Sequence, residues 1–257
     1  MLTCLHATFL SLYYPSKHPM NDKARRQTIL SVLSQTYPRA KIVLRYRTPW
    51  ELLIAVILSA QCTDVMVNIV TKKLFQKYPT LTAYCKADPK EFEKDIRSTG
   101  FYHNKAKNIL AAAALLRDKF NARVPKTMEE ILTLPGVARK TANVVLGNAY
   151  GVVEGIAVDT HVLRLSQRLR LVPLDKIGGK KKVFVDVSHV SCRLSPVIDF
   201  YKDASPKKIE QELMRSVPKS RWFSLTYQLI DHGRALCKAK KPTCCDCPLQ
   251  SFCPTAR

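Results

Sequence analysis

The sequence predicts an all-α protein, and three features carry that expectation. Helix starts are spelled out as capping side chains followed by proline or a well-placed glutamate. Apolar residues between those starts recur with helical spacing, and glycines close the runs after short connections.

Each element has its own reason. Met20-Asn-Asp-Lys-Ala-Arg-Arg26 suits the beginning of a first helix, and residues 1–19 before it have neither a basic leader nor a clear small-residue cleavage site. They are expected to be an N-terminal extension, with Met20 as the native start. Thr48-Pro49-Trp50-Glu51 and Asp88-Pro89-Lys90-Glu91 each place a cap, a proline at the first helical position and a glutamate three residues after the cap. Thr127-Met-Glu-Glu130 is a capping box, and Ser205-Pro206 repeats the cap and proline. Helical apolar patterns fill 52–60, 65–75, 106–120, 141–149 and 162–169, with Asp64 expected to cap the second and Gly100 and Gly151 serving as stops. Residues 172–204 depart from this. Gly178-Gly-Lys-Lys-Lys182 followed by the β-branched Val183-Phe-Val-Asp-Val-Ser-His-Val190 suits a loop with a short strand, its lysines reading as a solvated loop or as a contact for an anionic partner.

Composition narrows the partner. The chain of 257 residues carries a formal charge of +22, from 42 Lys and Arg against 20 Asp and Glu. That excess exceeds what solubility needs and calls for a polyanion. Nucleic acid fits better than a membrane, because no apolar stretch reaches the roughly 20 residues that span a bilayer. Of nine cysteines, Cys237, Cys244, Cys247 and Cys253 form a C-x6-C-x2-C-x5-C cluster, which favours a metal site in a reducing, intracellular compartment. Four thiolates can bind either zinc or an iron-sulfur cluster, and generic reasoning slightly favours zinc in a basic protein of this kind.

The most informative stretch is Leu134-Pro-Gly-Val-Ala-Arg-Lys140, followed nineteen residues later by Asp159 in Val158-Asp-Thr-His-Val162. Pro135-Gly136 forces a tight reversal, and a helix starting behind it leaves free N–H groups at the positive end of its dipole, a site for phosphate. Lys140 falls in that first turn. Taken alone, the pattern also describes an ordinary turn with a solvated lysine, and Asp159 an ordinary N-cap.

The turn with its lysine, the Val-Asp-Thr-His segment and the cysteine spacing, joined by Glu51-Leu-Leu-Ile-Ala-Val-Ile-Leu-Ser-Ala-Gln-Cys-Thr-Asp64 and Gly100-Phe-Tyr-His-Asn-Lys-Ala-Lys-Asn108, make the chain resemble the endonuclease III family of bifunctional DNA glycosylases. The resemblance runs from about residue 20 to the C-terminus. It implies a helix-hairpin-helix fold with two helical lobes: a six-helix bundle over 42–154, and a discontinuous domain from 20–41 and 155–257 carrying a cluster loop at 237–253. It implies that Lys140 attacks the sugar C1′ of a damaged pyrimidine nucleotide in duplex DNA, that a Schiff base follows, and that β-elimination cuts the strand. An ordinary lysine is under about one per cent neutral at pH 7, so the site must help it lose a proton, and dense positive charge with Arg139 next in sequence would push that way. Asp159 becomes the carboxylate that accepts a proton or stabilises charge on the sugar.

The resemblance further implies that Gln61 occupies the gap left by a flipped nucleotide. It places Leu134, Gly136, Val137, Ala138 and Arg139 of the hairpin, with Lys105, Lys238, Lys240 and Lys241, against DNA. Cys237, Cys244, Cys247 and Cys253 become ligands of a [4Fe-4S] cluster, while Cys245 stays outside the set. A monomer acting in the cytoplasm or nucleoid is expected. Ala138 stands where relatives carry glycine, which puts positive φ or closest phosphate approach in question there. The alternatives are an adenine-type or other monofunctional glycosylase of the same fold, disfavoured by Lys140 and the apolar 55–58, and a non-catalytic DNA-binding module.

Overall fold

The computed structural model describes residues 21–186 and 197–255, so the expectations for 1–19 and for the end of the β-branched run lie outside the described residues. The chain is mostly helical. Helices α1 (Asp22–Thr36), α2 (Pro49–Leu58), α3 (Asp64–Lys77), α4 (Leu81–Cys85), α5 (Pro89–Ile96), α6 (Tyr102–Lys119), α7 (Met128–Ile131), α8 (Arg139–Tyr150) and α9 (Thr160–Arg168) precede a two-stranded sheet. Strands β1 (Lys182–Asp186) and β2 (Val197–Tyr201) lead into α10 (Pro206–Ser216) and α11 (Trp222–Ala235).

Local chemistry places the starts. Thr48 accepts from the Glu51 N–H, Asp88 from Glu91, Thr127 from Glu130 and Ser205 from Lys208, so the expected caps close their helices. One cap moves by a residue: Thr63, not Asp64, accepts the Met66 N–H, and Asp64 becomes the first residue of α3. Its carboxylate instead pairs with Arg234 at 2.5 Å, a partner from far along the same chain that local sequence does not announce.

Two apolar cores form. α2 is the axis of the first, with Leu52, Leu53, Ile54, Ala55 and Leu58 fully buried, and it packs along α8. Each buried leucine or isoleucine contributes about 1.5–3 kcal/mol. Side chains from α3 to α8 complete this core, which runs from Leu44 to Leu146. The second joins Ile29, Leu30 and Leu33 of α1 to Val162 and Leu165 of α9, Ile209 and Leu213 of α10, Leu225 and Leu229 of α11, and Leu249 and Phe252 near the C-terminus. The chain thus starts in the second core, builds the first, and returns.

The 172–204 region differs from the loop with one strand that the sequence suggests. β1 and β2 pair antiparallel, Lys182 opposite Tyr201 through Asp186 opposite Val197. The fully buried Gln167 of α9 holds the end of β2, donating to the Tyr201 carbonyl at 3.0 Å and accepting its N–H at 2.8 Å. Among the described residues, no helix is long and apolar enough to cross a membrane.

Candidate active site and cysteine centre

The start of α8 is shaped by a turn anchored in the first core. Leu134 (2 % exposed) and Val137 (8 % exposed) bury their side chains, and the Val137 N–H closes the turn onto the Leu134 carbonyl at 3.1 Å. These two side chains are pegs in the first core, so the DNA contact expected at Leu134 and Val137 falls to their main chain. Gly136 adopts φ +77°, and a Cβ there would stand 2.8 Å from Asn108 Cβ, so both conformation and space require glycine. Ala138, the N-cap of α8, has φ −97° and ψ 169°. This is extended backbone open to any residue, so its methyl introduces no strain. No side chain caps α8, and its first N–H groups point outward behind an exposed Ala138.

Lys140, second in α8, is exposed. The free cation expected beside it is not free: Arg139 Nε donates to Glu210 Oε2 at 2.8 Å, and Asn143 donates to the other oxygen of the same buried carboxylate at 2.8 Å. Sequence reasoning missed Glu210, which sits a full domain away along the chain.

Asp159 closes the start of α9 with its own side chain. Oδ1 accepts the N–H groups of His161 at 2.9 Å and Val162 at 2.8 Å, and Oδ2 lies 3.0 Å from His161 Nδ1. Burial alone would raise its pKa. The His161 and Val162 hydrogen bonds outweigh that, with the charges of His161 and Lys140 adding to them, and hold the carboxyl below its ordinary value. Asp159 is therefore ionised and oriented at neutral pH, with Lys140 close enough to feel its charge.

Lys140 and Asp159 line one cleft of about 930 Å³ between the two cores, with Gln61, Asn68, His161 and Arg234 also on its wall. A recess of about 100 Å³ shares both residues and runs back toward Val56, Val144, Thr226 and Tyr227. Gln61 is exposed on the turn after α2 and holds φ 52°, an uncommon conformation for a side-chain-bearing residue.

Lys105 is a correction. In place of a phosphate contact, its ammonium is buried (5 % exposed) and donates to the carbonyls of Leu58 and Thr99, both at 2.8 Å. Those acceptors end α2 and the turn before Phe101, so Lys105 ties together the two turns that carry Gln61 and the exposed Phe101. Burial lowers its pKa.

At the C-terminus, Cys237, Cys244, Cys247 and Cys253 line one small enclosed space with Arg168, His232 and Thr255. Burial, then the neighbouring thiolates, push Cys244 up to about 11 and Cys247 up to about 12. Such a set ionises only with a cationic centre among the sulfurs. Its surroundings suit that state: buried Arg168 approaches Cys237 Sγ at 3.5 Å and fixes the loop through the Lys238 carbonyl at 2.8 Å and that of Ala239 at 2.9 Å. Buried His232 lies 3.6 Å from Cys247 Sγ and 3.1 Å from the Tyr37 hydroxyl. Among the described residues, no three His, Cys, Asp or Glu side chains are set to chelate a single ion. Lys238, Lys240 and Lys241 are exposed on the same loop. Arg168 ends α9, Tyr37 follows α1 and His232 sits on α11 just ahead of the loop, and no spacing in the sequence marks them.

Residues 54–183 match the family model of the HhH-GPD superfamily of base excision DNA repair proteins. Endonuclease III of Synechocystis sp. is 46% identical over 92% of this chain and 95% of its own, and that of Bacillus subtilis 42% identical over 87% and 89%. Endonuclease III of Escherichia coli K12 is 35% identical over 90% and 96%. Among solved structures, a trapped endonuclease III–DNA covalent intermediate and a non-covalent endonuclease III–DNA complex each superpose with TM-score 0.76 and 42% identity, over 92% of this chain and 97% of theirs. A thermostable thymine-DNA glycosylase, 22% identical with TM-score 0.70 over 90% of this chain and 96% of its own, shares the fold.

Proposed function

The chain belongs to the endonuclease III family, and from that premise we propose that it is a base-excision repair glycosylase that removes oxidised pyrimidines from duplex DNA and nicks the resulting abasic site. The observation that carries the reading is the shared cleft: an exposed lysine on an uncapped helix start faces an ionised carboxylate across one opening. The neutral Lys140 amine attacks C1′, the glycosidic bond breaks, and its electron pair leaves with the base. Asp159 stabilises positive charge on the sugar and takes the amine proton; the C1′–O4′ bond then opens, O4′ becomes a hydroxyl and the imine forms at C1′. Loss of the C2′ proton then expels the 3′ phosphate by β-elimination.

Binding divides among several groups. The main chain around Gly136 and Ala138, with the open N–H groups of α8, takes a backbone phosphate. Arg139, its Nε held by Glu210, offers its remaining guanidinium N–H groups from the same turn, and Gln61 fills the vacated stack and hydrogen-bonds the orphaned base. Lys238, Lys240 and Lys241 add phosphate contacts from the cysteine loop.

Cys237, Cys244, Cys247 and Cys253 would hold a [4Fe-4S] cluster, which supplies cross-linking of that loop when bound. Arg168 brings positive charge to its thiolates, and His232 orients that of Cys247. The two cores support division into a bundle at 42–154 and a discontinuous domain from 20–41 and 155–257. The enzyme acts as an intracellular monomer.

Borohydride trapping on duplex DNA containing thymine glycol or an abasic site tests the chemistry. The expected result is a covalent adduct with the wild type and none with Lys140→Gln. No wild-type adduct on either substrate refutes the reading.

A further inference from the structure

Outside the cleft, six exposed lysines gather where the strand pair meets α10: Lys180, Lys181, Lys182, Lys202, Lys207 and Lys208. Backbone geometry holds them together. Lys182 stands opposite Tyr201, the Lys202 N–H donates to the Lys181 carbonyl at 2.9 Å, and the Ser205 N–H donates to Ile177 at 3.0 Å. The Gly178 turn is drawn so near α10 that a Cβ there would stand 3.9 Å from Lys208 Nζ.

Asp203 puts one exposed carboxylate inside the cluster. Asp203 spends its oxygens on the N–H groups of Lys180 at 3.0 Å and Lys181 at 2.8 Å. On α10, Glu210 (5 % exposed) and Glu212 (8 % exposed) are buried, the first gripping Arg139 and the second Arg215. α10 therefore shows solvent its first-turn lysines and hides its acids.

The cluster also starts where the cleft ends. Pro206, one residue before Lys207, is on the cleft wall with Lys140 and Asp159, and Glu210 one turn later reaches the start of α8. Gln167 pins β2 to α9, so the lysines ride on a braced platform. Duplex DNA carries one phosphate charge per about 1.7 Å of axis, and a duplex leaving the cleft on this side runs over that platform.

We propose that the root of the strand pair and the start of α10 form a second duplex-binding surface, which grips phosphates beyond the lesion without reading sequence or damage. The proposal rests on the glycosylase reading. It adds a footprint that the cleft alone does not need.

The test uses two duplexes bearing a stable abasic analogue, one covering little beyond the lesion and one extended by a helical turn of about 10 bp on either side. Binding is measured against salt for the full chain and for a variant with Lys180→Gln, Lys181→Gln, Lys182→Gln and Lys202→Gln. A charge-matched control carries Lys86→Gln, Lys90→Gln, Lys94→Gln and Lys119→Gln on the first core. The wild type and the control should gain affinity on the longer duplex, with a steeper salt slope; the platform variant should lose that gain and have a salt slope shallower by roughly two to four units. Its affinity for the short duplex, and borohydride trapping on a short duplex with a natural abasic site, should match wild type, which also reports an intact fold. Single Lys181→Gln and Lys202→Gln variants, each lowering the slope by about one unit, stand in if the combined variant fails to fold. Equal slopes for wild type and variant on the long duplex, or the same loss in the control, overturn the proposal. Failure of every form to bind either duplex would instead strike at the glycosylase reading.

Discussion

Two helix starts meet across the cleft and are finished in opposite ways. α9 is sealed by Asp159, whose carboxylate takes two of its N–H groups, whereas α8 begins at Ala138 with no side chain to take any. Most other starts here are sealed like α9, by Asn21, Thr48, Thr63, Thr80, Asp88, Thr127 and Ser205. The contrast separates two tasks. An open start offers donors to a ligand phosphate; a sealed start fixes and ionises the carboxylate that seals it. α6 gives a second comparison, since it too lacks a side-chain cap and also carries a lysine in its first turn. There the lysine is buried as an internal brace, while Lys140 on α8 faces the cleft.

Three substitutions probe this division, from the largest expected effect to the smallest. Gly136→Ala places a side chain at φ +77° against Asn108 and should cost about 3 kcal/mol, read as a fall in the urea midpoint, with phosphate binding lost as the start of α8 shifts. Lys105→Met leaves the Leu58 and Thr99 carbonyls unpaired and should cost about 2 kcal/mol by the same measurement. Its DNA-binding salt slope should stay as in wild type, because no phosphate contact is lost; a slope lower by about one unit would restore Lys105 to the DNA surface. Ala138→Asp gives α8 the seal that α9 has. Stability should rise by about 1 kcal/mol while DNA affinity falls, opposite signs that thermal melting and fluorescence anisotropy resolve.

Much of this was legible in the chain because helix starts are local. A cap, a proline and a glutamate lie within four residues, so Thr48, Asp88, Thr127 and Ser205 announced their helices, as Pro135-Gly136 announced the turn before Lys140. α11 went unread for the converse reason: it begins at Trp222 behind a 3-10 turn, with no capping side chain. What failed depended on tertiary partners. Lys105 looks like any helix-start lysine until Leu58 and Thr99 are brought around it, and Arg139 looks free until Glu210 arrives from α10. The four cysteines were evident from spacing, but Arg168 at the end of α9, Tyr37 after α1 and His232 on α11 share no motif with them.

The division between a binding start and a chemical start is tested most directly by Asp159→Asn. Asparagine still caps a helix, so α9 and the fold should survive, while the negative charge is gone. In single-turnover reactions on thymine-glycol duplex with enzyme saturating, base release should slow by about 10²–10⁴ while the dissociation constant stays within about twofold of wild type. Unchanged base release, or a loss of affinity matching the loss of rate, would contradict the account.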